Sequence, residues 1–227
     1  MVVKDFKRGL TQVQHINRKK YLYVDGKIQF VEDEKINETY HPEVVFLNDI
    51  DNYQLKKAKV LSVGLGAGYT LKYLLNREYI EKIDTVEIYA GVIRLLNKFS
   101  TYEFIMNDKR SNIINKDIVK YVRNYDGELY DVGILDVCHP ELICSREIFT
   151  DSFFNNLSCV IKKDGFVLMW FYSGGYVITN NETTKKTLNM LRNVFNNVNL
   201  YKVNNLDVCY FHASNNKIIT QNQIVRI

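Results

Sequence analysis

Proline is nearly absent from this chain, with 2 among 227 residues, and glycine is sparse at 11. So little of either excludes collagen-like and low-complexity classes, leaves most of the length to regular structure, and makes each glycine informative. Four cysteines, Cys138, Cys144, Cys159 and Cys209, form no CxxC pair, which points to reduced thiols rather than a disulfide scaffold. Cys138-His139 with Cys144 lacks a second ligand pair, and His15, His41 and His212 are dispersed, so no metal is expected. No apolar run approaches the ~20 residues of a membrane span; even Gly165 to Phe171 stops at strand length. No charged-then-apolar leader opens the sequence. The expectation is a soluble cytoplasmic protein without a membrane partner. An excess of either charge is also missing, since 30 Lys+Arg against 26 Asp+Glu leaves +4. The one tight basic cluster, Arg18-Lys19-Lys20, falls where two predicted strands meet and reads as a solvated turn, so no nucleic-acid polymer is expected as a partner.

What is present belongs to a globular domain: 46% hydrophobic and 25% charged residues at a length that buries one substantial core. Residues 1–50 are read as a small antiparallel β-hairpin unit with a linking helix. Leu10 to Ile16 and Tyr21 to Val31 are β-rich, and Asp25-Gly26 between Tyr-Leu-Tyr-Val and Lys-Ile-Gln-Phe-Val is a hairpin dipeptide. Tyr40, Val44 and Leu47 at i, i+4, i+7 predict a helix over Asn37 to Asn48.

Residues 51–227 alternate strands with amphipathic helices. Strands are predicted at Lys59 to Leu65, Asp84 to Ile88, Asn112 to Asn115, Asp131 to Val137 and Gly165 to Phe171. Helices are predicted at Tyr69 to Arg77, Ala90 to Phe99, Ile118 to Arg123, Phe149 to Ile161 and Glu182 to Phe195. Nearly continuous apolar strands in a βαβ series predict an α/β fold, a mostly parallel sheet with helices on both faces. Val198 to Val203 and Asp207 to Ala213 add an antiparallel pair at the sheet edge.

The glycine-rich turn Val63-Gly64-Leu65-Gly66-Ala67-Gly68-Tyr69 leaves a strand and opens a helix, as a ligand-cradling loop or as a tight structural turn. A dinucleotide fingerprint would carry a third glycine at Tyr69, so pyrophosphate binding loses ground. About twenty positions on, Glu87 ends the second strand, where a carboxylate accepts both hydroxyls of a ribose. Together they favour a nucleoside ligand. Asp117 follows the third strand, either near an adenine or as the N-cap of the next helix. Asp136 ends the fourth strand and faces the same crevice, as a working carboxylate or a solvated strand-end acid. Tyr40, Tyr69, Trp170 and Tyr172 lie where strand ends flank such a ligand, although packing accounts for them as well.

The ordered series Tyr23-Val-Asp-Gly-Lys-Ile-Gln29 through Glu34, Tyr40-His41, Val60 to Leu71, Val86-Glu87-Ile88, Tyr130 to Asp136 and Ile148 to Phe154 resembles the spermidine synthase (polyamine aminopropyltransferase) family. The likeness runs from about Tyr21 to Phe171. It implies a class I methyltransferase-like Rossmann domain preceded by the hairpin unit. It also implies a nucleoside sulfonium donor, S-adenosylmethionine or its decarboxylated form, held by Gln29, Tyr40, His41, Gly64, Gly66, Ala67, Gly68, Glu87 and Asp117. Asp136 would be the acid/base beside the incoming nucleophile, with His139 as a second proton acceptor or a mere loop histidine. A homodimer through the hairpin unit is a further implication.

Departures from the family's pattern are specific. Ala67 stands where the resemblance expects the aspartate of GGGDG, the residue that holds the primary amine of the decarboxylated donor. Two like charges ~4 Å apart cost on the order of 1–4 kcal/mol, so Ala67 removes a repulsion against the carboxylate of ordinary S-adenosylmethionine. His139 replaces the second acceptor aspartate, and Arg146, whose guanidinium suits phosphate or carboxylate, sits in the loop expected over the acceptor unless it is only a surface arginine. The reading is a transferase moving an aminopropyl or 3-amino-3-carboxypropyl group to a small-molecule or peptide-derived acceptor other than putrescine, anionic or peptide-nucleotide in character. The alternative is an S-adenosylmethionine-dependent methyltransferase, because geometry alone decides which C–S bond is attacked.

Overall fold

The computed structural model describes residues 2–5, 9–33, 42–137, 147–173, 182–203 and 208–225. Strands β1 (Val2–Asp5), β2 (Gly9–Ile16), β3 (Lys19–Val24) and β4 (Lys27–Asp33) form an antiparallel sheet in chain order. Asn17-Arg18 and Asp25-Gly26, all at positive φ, make the tight turns joining β2 to β3 and β3 to β4, so the basic tripeptide begins in a turn and the Asp-Gly hairpin falls where predicted. β1 is an addition to the sequence reading; it pairs with β2 at the edge.

The chain continues through α1 (Pro42–Val45) and a 3-10 helix (Phe46–Asn52). The helix predicted over Asn37 to Asn48 is therefore shorter within the described residues and tightens into a 3-10 turn, while residues 37–41 lie outside them. Next come β5 (Ala58–Val63), α2 (Tyr69–Leu75), β6 (Ile80–Glu87), α3 (Ala90–Leu95), α4 (Tyr102–Asn107), β7 (Ser111–Asn115), α5 (Ile118–Arg123) and β8 (Tyr130–Leu135). The fold closes with α6 (Asp151–Val160), β9 (Ile161–Ser173), α7 (Glu182–Arg192), β10 (Asn197–Lys202), β11 (Val208–Ser214) and β12 (Gln223–Ile224).

Eight of these strands form the large sheet in the order β12-β10-β11-β9-β8-β5-β6-β7. Strands β5 to β9 are parallel, and β11 runs antiparallel between β9 and β10. The chain winds outward from β5 to β7, then returns to β8 on the other side of β5. That reversal opens a crevice beyond the carboxyl ends of β5 and β8, the place where open α/β sheets bind ligands.

Both faces of the sheet are covered, which is why its central strands read as apolar runs. Val60, Ile134 and Leu168 pack on one side with α2 and the small sheet; Leu61, Leu135 and Met169 pack on the other with α6 and α7. Val13, Leu22, Val24 and Phe30, the inner face of the small sheet, join the first of these cores. Contact there is close: a Cβ on Gly91 of α3 would lie 2.4 Å from Thr11 Oγ1.

Some predicted boundaries move. Ile161 opens β9, paired with Tyr130, instead of ending a helix, as suits a β-branched residue offered a strand neighbour. The helix predicted over Ala90 to Phe99 splits into α3 and a 3-10 turn, Leu96–Lys98. Helix α4 was not predicted, because Ile105 is its one buried residue and leaves no apolar stripe to detect. Among the described residues no helix is long and apolar enough to cross a membrane.

A buried polar cluster ties the 3-10 helix to β11 and the tail. Asp49 accepts from the Tyr210 hydroxyl, from Thr220 Oγ1 at 2.9 Å and from Asn222 Nδ2 at 3.2 Å. His212 lies beside it, Nδ1 to Asp49 Oδ2 at 3.5 Å, with Nε2 2.8 Å from the Tyr53 hydroxyl. Burial pulls the His212 pKa below its ordinary value more strongly than Asp49 raises it. It also pushes the Tyr53 phenol up to about 12.

Candidate functional site

The loop from Gly64 to Gly68 runs between the carboxyl end of β5 and α2. Gly64 has φ +92°, and a Cβ there would fall 2.2 Å from the carbonyl oxygen of Asp136, so only glycine lets the loop pass β8. Gly66 differs: at φ +51° nothing lies within 4 Å of where its Cβ would be, so the crest of the loop opens on free space. Gly68 precedes α2. Ala67 is buried, packs in the core beside α2, and its carbonyl accepts from Thr101 Oγ1 at 2.5 Å.

Glu87 ends β6 and turns its carboxylate into the loop. Its Oε2 accepts the Leu65 N–H at 2.9 Å and its Oε1 the Tyr89 N–H at 2.7 Å. Burial pushes the Glu87 carboxyl upward, and backbone N–H groups of Tyr89, Leu65, Ile88 and Gly66 oppose it without cancelling it. An ionised carboxylate offers roughly four acceptor positions, and here backbone N–H groups of the loop and of the turn after β6 gather on them, so Glu87 braces the glycine loop against β6. The side chain of Asn115, at the end of β7, donates to the Glu87 carbonyl at 2.8 Å and fixes this corner.

Asp117 caps α5, its Oδ1 accepting the Val119 N–H at 3.0 Å. It also lines a groove of about 520 Å³ running under α5 to Lys59 and Tyr125, away from the crevice. Asp136 sits where β8 ends, with its N–H bonded to the Val63 carbonyl at 2.9 Å. Its Oδ2 accepts from Thr70 Oγ1 at 2.6 Å. The glycine loop therefore has Glu87 on its β6 flank and Asp136 on its β8 flank.

Gln29 lies on β4 at a bulge: Leu22 pairs with Phe30 and Tyr23 with Ile28, leaving Gln29 as the extra residue. Bulges re-aim side chains at the margins of sites. Of the residues singled out from the sequence, Tyr40, His41, His139 and Arg146 lie outside the described residues. Among those described, no group of three or more His, Cys, Asp or Glu is placed to hold a metal ion.

Two participants escaped sequence reading. Thr70, buried on α2, holds the Asp136 carboxylate. Glu32 on β4 accepts from Lys20, from the Tyr69 hydroxyl at 3.0 Å, and from the N–H and hydroxyl of Ser100 at 2.9 and 2.8 Å. Burial alone would raise the Glu32 pKa; those hydrogen bonds outweigh it and hold the carboxyl below its usual value. Through Glu32 the strand carrying Gln29 is fastened to Tyr69, the first residue after the glycine loop. An acid on the buried face of an alternating strand, two residues after Phe30, was the signal available.

Strand order, the antiparallel β11 and two carboxylates flanking a glycine loop define a methyltransferase-like Rossmann domain with a β-sheet unit before it. The chain belongs to the spermine/spermidine synthase domain family, whose pattern matches residues 37–206. A polyamine aminopropyltransferase of Clostridium botulinum is 30% identical over 150 residues, 66% of this chain and 51% of that protein. Putrescine N-methyltransferase 2 of Nicotiana tabacum is 32% identical over 149 residues, 65% of this chain and 41% of that protein. A spermidine synthase solved with the transition-state analogue AdoDATO superposes with a TM-score of 0.77 at 22% identity, covering 96% of this chain and 74% of that one, which is a likeness of fold. The chain spans about half the length of the curated relatives it matches.

Proposed function

We propose that this chain is a transferase of the spermidine-synthase type, moving an aminopropyl or 3-amino-3-carboxypropyl group from S-adenosylmethionine or its decarboxylated form to a nucleophile other than putrescine. The observation that carries the reading is Asp136, held by Thr70 against the flank of the glycine loop. Family membership and the names of the relatives support the same class. The sulfonium supplies the activated leaving group: a bond forms from the acceptor nitrogen to carbon, the C–S bond breaks, and its electron pair goes to sulfur. Asp136 takes the proton the nitrogen sheds, within reach of a general base at the strand end. Glu87 holds the ribose hydroxyls, Asp117 borders the base, and Gln29 closes the pocket from the small sheet, with Tyr40 and His41. The open space at Gly66 fits such a donor.

Ala67, in place of an acid, favours the carboxylated donor, and His139 with Arg146 favours an acceptor carrying less positive charge. The methyltransferase reading is kept as the second, supported by Ala67 and by the putrescine N-methyltransferase relative. We also read residues 1–50 as a positioning unit for Gln29, the protein as cytoplasmic, and its outer sheet face, with Ile28 and Val2 more than half exposed, as the contact of a homodimer. One assay separates the two chemistries: full chain is incubated with S-adenosylmethionine and a panel of amines, and the nucleoside by-product is identified. Release of 5′-methylthioadenosine reports propyl-type transfer; release of S-adenosylhomocysteine would refute the first reading and establish the second.

A further inference from the structure

Trp170, the single tryptophan of the chain, stands beside Asp136. Leu135 of β8 and Met169 of β9 are partners in the parallel register, so Asp136 and Trp170 are the next residues along on neighbouring strands. Successive strand residues alternate between faces. Leu135 and Met169 pack against α6 and α7, whereas Ile134, Leu168 and Trp170 pack on the α2 side, from which Thr70 reaches Asp136. Trp170 and Asp136 thus share one face at the carboxyl rim of the sheet. The indole N–H is covered and, among the described residues, meets no hydrogen-bond partner. An indole nitrogen can only donate, and a covered donor left unmatched is unfavourable until something accepts from it.

We propose that Trp170 selects the acceptor, favouring an amine whose far end carries a hydrogen-bond-accepting oxygen, as an amide or carboxylate does, over a diamine. This rests on the transferase reading. An ammonium group brings three donors and no acceptor, so the second end of a diamine leaves the indole N–H unmatched. An amide or carboxylate oxygen matches it while the amine at the other end lies by Asp136. Stacking of an ammonium on the indole face is the competing arrangement, and it gives the opposite preference.

Because Trp170 is the only tryptophan, its emission reports this one position. The full chain, in the presence of S-adenosylmethionine, is titrated with 4-aminobutanamide and with putrescine, which share a length and differ in whether the far end is an amide or an ammonium. The amide is expected to shift the indole emission and to bind about tenfold more tightly than putrescine, the worth of one hydrogen bond. Trp170→Phe, which keeps an aromatic ring without the N–H, is expected to lose that preference in transfer rate while calorimetry gives an unchanged donor affinity. An emission response to putrescine that equals or exceeds the amide's, no response to either amine, or an unaltered preference in Trp170→Phe would overturn the proposal. An amide response without any transferred product would support the acceptor site and overturn the transferase reading instead.

Discussion

Replacing Thr70 with valine keeps the side chain's shape and removes one hydroxyl, which makes it the sharpest probe of Asp136. The hydroxyl donates to Asp136 Oδ2 at 2.6 Å, and Thr70 is only 3% exposed, so water does not take its place in the variant. A hydrogen bond to a charged group contributes about 1.5–3 kcal/mol, and each 1.36 kcal/mol is tenfold in rate. If Asp136 receives the amine proton, Thr70→Val should lower kcat by about 10- to 150-fold. Donor affinity should hold, because Glu87 and the loop crest are untouched. By-product release gives kcat and KM; calorimetry gives the donor Kd. Thr70→Ser restores the hydroxyl and should recover most of the rate, which a purely structural role would not require. The reasoning is refuted if Thr70→Val turns over as wild type, if Thr70→Ser is as slow as valine, or if the whole loss appears in donor binding.

Other outcomes follow from neighbouring residues. Glu87→Gln should weaken donor binding by about tenfold or more, since an amide NH2 must face the Leu65 or Tyr89 N–H where a carboxylate oxygen accepted it; calorimetry with S-adenosylmethionine measures it, and wild-type affinity would remove Glu87 from the pocket. Gly64→Ala should destabilise the fold by about 3 kcal/mol or more, from positive φ together with the clash on the Asp136 carbonyl; an unchanged Tm would mean that the loop relaxes freely. His212, packed against Asp49, Tyr53 and Tyr201, has a folded pKa below its unfolded value, so the unfolded chain binds the proton first. Its contribution is complete above about pH 6.5 and is lost as pH falls toward the folded pKa, at up to about 1.4 kcal/mol per pH unit. Urea unfolding at pH 7.5 and 5.5 should show that loss in wild type and a flatter dependence in His212→Asn; equal slopes would assign the titration elsewhere.

Periodicity and turn chemistry made much of the molecule legible in one dimension. The alternation of apolar strands with amphipathic helices between Lys59 and Phe195 was enough for a parallel, doubly covered sheet, because burial on both faces writes itself into consecutive residues. Asp25-Gly26 marked its hairpin through the positive φ that the turn requires. Glu87 and Asp136 were singled out because strand ends in such sheets face the crevice beyond them, a rule of local position. Elements with little buried surface were not legible: α4 hides a single residue, and β12 is two residues long and leans on β10.

Pairings between distant segments belonged to tertiary structure alone. Nothing in the spacing of Thr70 and Asp136 announces a hydrogen bond across 66 positions, nor does Glu32 announce Ser100 across 68. Register between β8 and β9 set Trp170 next to Asp136, and one residue of slip would have turned the indole to the opposite face. Sequence determined which residues could be strands, turns and acids, because those choices rest on local sterics and burial. Tertiary structure decided which of them meet, because a contact between remote segments depends on strand order and register, and neither is encoded in any one stretch of chain.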